Sequence, residues 1–287
     1  MKIALGTAQF GLNYGIANMQ GQLTRDKGER VIALALSHGI NTLDTAIAYG
    51  ESECLLGDIG VGEWKVVTKL PPIPGGCTDV DAWVHSEVQG SLSRLGIGRL
   101  HGLLLHRPSQ LFEQHGPQLF ASMQQLVADG LVQKVGISIY DPAELGPILG
   151  RWHFDLVQAP FNVLDRRLLQ SGWASRLKDR GVELHTRSTF LQGLLLMPPA
   201  LRPVWFRQWD ALWSLWDRWL NDCGLSPVQA CLRTALAVPE IDHIVLGVDN
   251  EDHLREILEA ANGPPPGPAA PHTDDLNLLN PANWTLS

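Results

Sequence analysis

Gly6-Thr7-Ala8-Gln9-Phe10-Gly11 follows the first short apolar run, Ile3-Ala4-Leu5, and its glycine spacing decides between two arrangements of the chain. Outward from that turn, β-branched or leucine-rich runs at 3–5, 41–44, 65–69, 102–106, 134–138, 156–158, 182–186 and 243–247 alternate with helical patterns. This alternation reads as eight βα units around a parallel sheet. An open doubly wound sheet normally announces a dinucleotide site with G-x-G-x-x-G after its first strand. The turn at 6–11 lacks that spacing, so the sequence predicts a closed (β/α)8 TIM barrel, class α/β, as a single domain over 1–262.

The larger outer helices are expected at 26–38, 78–95, 117–129 and 166–180, each followed by a glycine suited to a left-handed stop: Gly39, Gly96, Gly130 and Gly181. Asp141-Pro142-Ala143-Glu144 and Ser226-Pro227 carry N-terminal capping chemistry. Trp205, Trp209, Trp213, Trp216 and Trp219 recur at helical spacing, which predicts one face of a long helix packed on the barrel rather than an aromatic wall for a substrate. The Gly/Pro-rich residues 263–287 read as an extended C-terminal tail, anchored by Trp284.

The formal charge of -8 argues against nucleic acid as a partner. No apolar run approaches the roughly 20 residues that span a bilayer, and residues 1–5 lack the features of a signal peptide. Cys54, Cys77, Cys223 and Cys231 form no CxxC or Cys/His cluster, so neither a disulfide framework nor a metal site is expected. Together these features place the chain in the cytoplasm, with its oligomeric state left open.

In parallel barrels the chemistry collects at the carboxyl ends of the strands. Three neighbouring runs end in Asp44, Lys69 and His106, and the turn after the first of them adds Tyr49, one of three tyrosines. A carboxylate, an ammonium, an imidazole and a phenol would then face one mouth. Carbonyl reduction needs a hydride on carbon and a proton on oxygen, and an ordinary phenol is a poor donor at neutral pH. An ammonium beside it makes it a better one, a carboxylate holds that ammonium charged, and an imidazole can orient the carbonyl.

Asn41-Thr42-Leu43-Asp44-Thr45-Ala46 with Tyr49-Gly50, then Val67-Thr68-Lys69 and Leu104-Leu105-His106 in that order, resembles the aldo-keto reductase family over roughly residues 2–260. The resemblance implies an NAD(P)-dependent oxidoreductase that reduces an aldehyde, ketone or sugar carbonyl, or oxidises the alcohol, with Asp44, Tyr49, Lys69 and His106 catalytic. It also implies a cofactor site. Ser138 and Gln158 would hold the carboxamide, although Ile139 stands where many relatives have Asn. Arg187 would stack on the nicotinamide in place of an aromatic ring, with Ser188 beside it, and Gly6, Thr7 and Gly193 would let backbone approach closely.

The resemblance puts NADP(H) first. After the last strand, however, Gly247 and His253 replace the basic residues that commonly grip the 2′-phosphate, and Asp249, Glu251 and Asp252 surround them, so NAD(H) is the alternative. Asn162 is read either as a substrate contact or as a cap. Phe10, Tyr14, Arg107 and Tyr140 are read as a mixed aromatic and polar substrate pocket. Two further activities stay open: a non-catalytic cofactor-binding regulatory subunit, against which the lack of an evident N-terminal extension speaks, and a Schiff-base lyase using Lys69.

Overall fold

The computed structural model describes residues 1–18, 20–267 and 269–285. β1 (Ile3–Gly6), β2 (Thr42–Asp44), β3 (Lys65–Leu70), β4 (Leu100–Leu105), β5 (Val132–Ser138), β6 (Leu156–Pro160), β7 (Glu183–Arg187) and β8 (His243–Gly247) lie in sequence order. Each pairs in parallel with its neighbour, and β1 closes the ring against β8 from Ile3↔Ile244 to Gly6↔Gly247. The fold is the (β/α)8 barrel that the alternating runs predict.

Register shows which residues face the axis. Paired residues on adjacent parallel strands point to the same side. Ser138, Gln158, His185 and His243 are successive partners across β5 to β8, and Gln158 reaches Asp44 on β2, so this set points inward. A fully buried apolar trio, Val67, Leu104 and Leu156, fills the middle of the barrel. Gly136 makes room for it: a Cβ there would sit 2.6 Å from Leu104 Cδ2. The interior is therefore polar at both ends, with Asp44 and Lys69 toward the carboxyl ends of the strands and Lys134, Glu183 and His243 toward the amino ends. The outward-facing strand residues pack under the helices as the main core.

Three expectations about the periphery are corrected. The helix expected over 166–180 forms as two, Arg167–Gln170 and Trp173–Asp179, because Gly172 between them adopts φ +72°. The five tryptophans do not share one helix: Trp205 and Trp209 lie in a 3-10 segment, Val204–Trp209, and Trp213, Trp216 and Trp219 line the buried face of Asp210–Cys223. The Trp213 indole N–H donates to the Phe206 carbonyl at 2.8 Å and holds the two segments together. The tail is partly helical. Leu276–Leu279 buries Leu278 and Leu279 in the tryptophan cluster, and Trp284 meets Phe206 edge-on at 5.0 Å. Pro268, Leu286 and Ser287 of the tail lie outside the described residues. Among the described residues, no helix is long and apolar enough to cross a membrane.

Candidate active site

Asp44 closes β2 and Lys69 is the penultimate residue of β3, so adjacent strands bring them together in the barrel mouth. Lys69 Nζ donates to Asp44 Oδ2 at 2.7 Å and to the Thr45 carbonyl at 2.9 Å, with both side chains buried. Burial alone would lower the affinity of the ammonium for its proton, but Asp44, then Tyr49, outweigh it, and Lys69 is held above its ordinary range. The other Asp44 oxygen accepts from Gln158 Nε2 at 2.6 Å, and Gln158 Oε1 accepts from Ser138 at 3.2 Å. A hydrogen-bonded chain thus runs from Ser138 across the barrel to Lys69, and neither Asp44 oxygen is left without a donor.

Tyr49 sits beyond this chain, with Lys69 Nζ 5.1 Å from its ring centroid. His106 follows directly on β4 and meets the Tyr49 ring edge-on at 6.0 Å. Burial, then the charges of Lys69 and Arg187, push the His106 imidazole down to about 4, so it is neutral at physiological pH. It can accept or donate a hydrogen bond but does not act as a fixed cation.

What holds Tyr49 in place is a set of contacts that the sequence alone does not show. A Cβ on Gly11 would lie 1.8 Å from the Tyr49 carbonyl oxygen, so the last glycine of the 6–11 turn is what lets that turn seat against Tyr49. Ser52 donates to the Thr7 carbonyl at 2.9 Å, and the Thr7 hydroxyl donates to the Asp44 carbonyl at 2.9 Å. Glu53, also buried, accepts from Thr68 at 2.7 Å, Ser91 at 2.8 Å and Arg94 at 2.7 Å, tying the helix after Tyr49 to β3 and to Val80–Leu95. A buried glutamate flanked by hydroxyls is a structural brace, and sequence spacing gives no sign of it.

A cleft of about 450 Å³ opens over Asp44 and Tyr49. Gly6, Thr7, Tyr14, Arg187, Ser188, Gly193, Gly247 and His253 all contribute to its wall. Arg187 stacks on Tyr140, its guanidinium carbon 4.5 Å from the ring centroid, and donates to the Ile139 carbonyl at 3.0 Å and to Ser188 Oγ at 3.2 Å. Burial raises the Tyr14 phenol, as does its proximity to Tyr49. All three tyrosines of the chain thus gather around the mouth.

Ser188, Leu191 and Gln192 adopt positive φ (66°, 48° and 54°), strain that costs on the order of 1 kcal/mol each. Asn162 braces this loop, donating to the Ser188 carbonyl at 3.1 Å while its own oxygen accepts from the Leu164 and Asp165 N–H groups. At the far end, Asn250 caps Glu251–Ala260 and His253 lies 3.6 Å from Asp249. Burial raises the Asp249 carboxyl, and Arg255 is paired with Glu251 at 3.2 Å.

Two expected pocket residues are elsewhere. Phe10 is fully buried on the inner side of Ala8–Gly11, packed in the core against Gly28. Arg107 is half-exposed and pairs with Glu113 at 3.0 Å, away from the cleft wall. Ser138 and Gln158 lie behind the wall, on the hydrogen-bonded chain to Asp44.

Two features of the cleft wall accord with the nicotinamide cofactor that the resemblance implies. The Thr189 hydroxyl on its wall is buried without a partner among the described residues. A Cβ at Gly247 would intrude to 2.6 Å of the Gln9 amide, which lines the same wall.

The mouth of this (β/α)8 barrel thus brings a buried carboxylate–ammonium pair, a phenol and a neutral imidazole together at the cleft floor. Comparison with known proteins agrees: the chain belongs to the aldo/keto reductase family, whose model matches residues 2–265. It is 23% identical to an uncharacterized oxidoreductase, YqkF, of Bacillus subtilis, covering 91% of each chain. It is 24% identical to the NADH-specific methylglyoxal reductase of Escherichia coli, covering 91% of this chain and 90% of that one. Among solved structures, the holo form of an aldo-keto reductase from Bacillus halodurans superposes with a TM-score of 0.72 at 20% identity, over 92% of this chain and 87% of that one. The chain is accordingly an oxidoreductase of the kind that reduces small-molecule carbonyls with a nicotinamide cofactor.

Proposed function

We propose that this chain reduces an aldehyde, ketone or sugar carbonyl with Tyr49 as the proton donor. The observation that carries this reading is the sealed Lys69–Asp44 contact at 2.7 Å beneath Tyr49, at the floor of the cleft. The bound cofactor supplies the hydride. Tyr49 gives its proton to the carbonyl oxygen, and Lys69 stabilises the phenolate left behind. Asp44 keeps Lys69 charged and in place, and Gln158 and Ser138 fix Asp44. His106, neutral and beside Tyr49, orients the carbonyl by hydrogen bonding.

Ser188, Gly193 and the stacked Arg187 are suited to hold the nicotinamide end, with Gly6 and Thr7 on the same wall, and Gly247 and His253 to hold the adenosine end. Tyr14 and Tyr140 favour a substrate with a planar or apolar body. The cation grip on a 2′-phosphate is weak, because Arg255 is committed to Glu251 and Asp249 faces His253. One relative is by name NADH-specific. NADPH and NADH are therefore expected to bind within about tenfold of one another, equivalent to ~1.4 kcal/mol.

Turnover of 4-nitrobenzaldehyde with each cofactor, together with their affinities from fluorescence quenching, tests the reading. Cofactor binding with no turnover of any member of an aldehyde and ketone library would favour a regulatory subunit instead, and borohydride trapping of a carbonyl substrate on Lys69 would favour a lyase. A preference for NADPH above ~100-fold would show that a cation other than His253 grips the phosphate.

A further inference from the structure

The amino-terminal pole of the barrel holds a second polar cluster that the reaction does not use. Glu183 and His185 alternate on β7 and His243 opens β8, with His185 and His243 in direct register. Both therefore point to the axis, their rings edge-on with centroids 4.8 Å apart. One donor atom from each of Glu183, His185 and His243 lies within 4.8 Å of the other two. His185 has no solvent exposure; its Nε2 meets Glu183 Oε1 at 2.6 Å, and its Nδ1 is sealed without a partner among the described residues. His243 Nδ1 is sealed and partnerless in the same way. Buried imidazole nitrogens are normally hydrogen-bonded, so two imidazoles that each keep one unsatisfied, grouped with a carboxylate, call for a ligand that accepts lone pairs.

We propose that Glu183, His185 and His243 form a binding site for a divalent transition-metal cation of the zinc type, clamping β7 to β8 at the base of the barrel. Two imidazoles and one carboxylate are a donor set that such a cation prefers. In a tetrahedral site, metal–ligand bonds near 2.1 Å put donor atoms about 3.4 Å apart, so the three side chains close by rotation while the strands stay fixed. Glu183 also accepts from His101, 3.2 Å from either oxygen, and from Lys134. His101 meets both carboxylate oxygens and fixes the plane of the group, a supporting contact of the kind a carboxylate ligand requires. Lys134 is the charge that the cation replaces: its side chain is 30% exposed on a flexible stem and can leave for solvent as the metal enters. The Val67, Leu104 and Leu156 layer separates this pole from the cleft, so the metal braces the fold and leaves hydride transfer alone.

The test uses the full chain, stripped with a chelator and titrated with zinc chloride by calorimetry, and with cobalt(II) by visible absorption. The expected result is one zinc per chain, a higher unfolding temperature, and cobalt d–d bands without the thiolate charge-transfer band that Cys54, Cys77 or Cys223 would produce. His243→Asn, at the half-buried ligand, should weaken zinc binding by at least ~10-fold, and His185→Gln should do the same. Lys134→Met should tighten it. Absence of zinc binding, a thiolate band, or affinities unchanged in both histidine variants would overturn the site. An unchanged affinity in Lys134→Met would overturn the replacement of Lys134.

Discussion

The two poles of the barrel interior are built from similar parts and do different things. Each has a lysine on a carboxylate, Lys69 on Asp44 at the mouth and Lys134 on Glu183 at the base, and each has a histidine in contact with another ring. At the mouth the pair lies under a cleft of about 450 Å³, and the carboxylate is fixed from across the barrel by Gln158. At the base the carboxylate is ringed by His101, His185 and Lys134. On the function proposed above, the same ionic pair handles a proton where a phenol and open space adjoin it, and braces the fold where neither does.

The largest expected effect separates the poles by rate. Tyr49→Phe should lower single-turnover carbonyl reduction by at least ~100-fold while leaving cofactor affinity nearly unchanged, and Lys134→Met should leave that rate at the native value. Stopped-flow measurement of both variants decides it: native hydride transfer in Tyr49→Phe would remove the phenol from the mechanism, and a slow Lys134→Met would couple the poles.

Stability should separate them next. Glu183→Gln removes the charge that organises three side chains at the base and should cost about 2 kcal/mol in chemical denaturation, the scale of a charge-assisted hydrogen bond. Its effect on cofactor affinity should be negligible. A loss of stability below ~0.5 kcal/mol would mean that the base cluster is not a brace.

A smaller effect concerns the rim of the mouth. Arg187→Ala should weaken nicotinamide cofactor binding by about tenfold, and Arg187→Tyr by less, because tyrosine restores a stacking face. Calorimetric titration reporting equal losses would leave Arg187 with only its contacts to Tyr140 and Ile139.

The smallest effect is a slope. Native His106 binds its proton near pH 4, whereas the unfolded chain binds it near 6.5. Between those values the unfolded state carries more protons, so this residue makes stability rise with pH across the window and adds nothing above it. The groups around it are Lys69 and Arg187, which disfavour its protonation, Asp44, which favours it, and the ring of Tyr49. His106→Gln should flatten that part of the stability–pH curve between pH 4 and 6.5, and an unchanged curve would show that native His106 titrates normally.

Much of the mouth was legible in the sequence because its chemistry is written at strand ends. Asp44, Lys69 and His106 stand out as polar residues closing apolar runs, Tyr49 follows in the turn after the first, and the chain order carries the resemblance. The base was not legible. Glu183 and His243 open their strands, where polar residues ordinarily mean solvent, His185 lies mid-strand, and only the β7–β8 register turns the three into one cluster. Phe10 misled because an aromatic residue in an active-site turn looks the same in sequence whether it points to the cleft or to the core. The supports of Tyr49 were hidden for the opposite reason: Gly11 matters through a side chain it lacks, and Glu53 meets Arg94 only once two helices pack. The helix expected over 166–180 failed at Gly172, whose φ of +72° is invisible to hydrophobic periodicity.

The seam of the barrel joins β1 to β8, and Lys2 Nζ also reaches the Val238 carbonyl at 2.7 Å. During synthesis, therefore, β1 has to wait for β8. At about 5–20 residues per second, the interval between Ile3 and Ile244 is on the order of ten to fifty seconds. Through that interval β1 can pair only with β2, and its other edge stays open to any passing strand. At four residues it offers a small target. The ring closes only after translation has passed β8, so a nascent chain stalled before His243 lacks the strand that covers the free edge of β1.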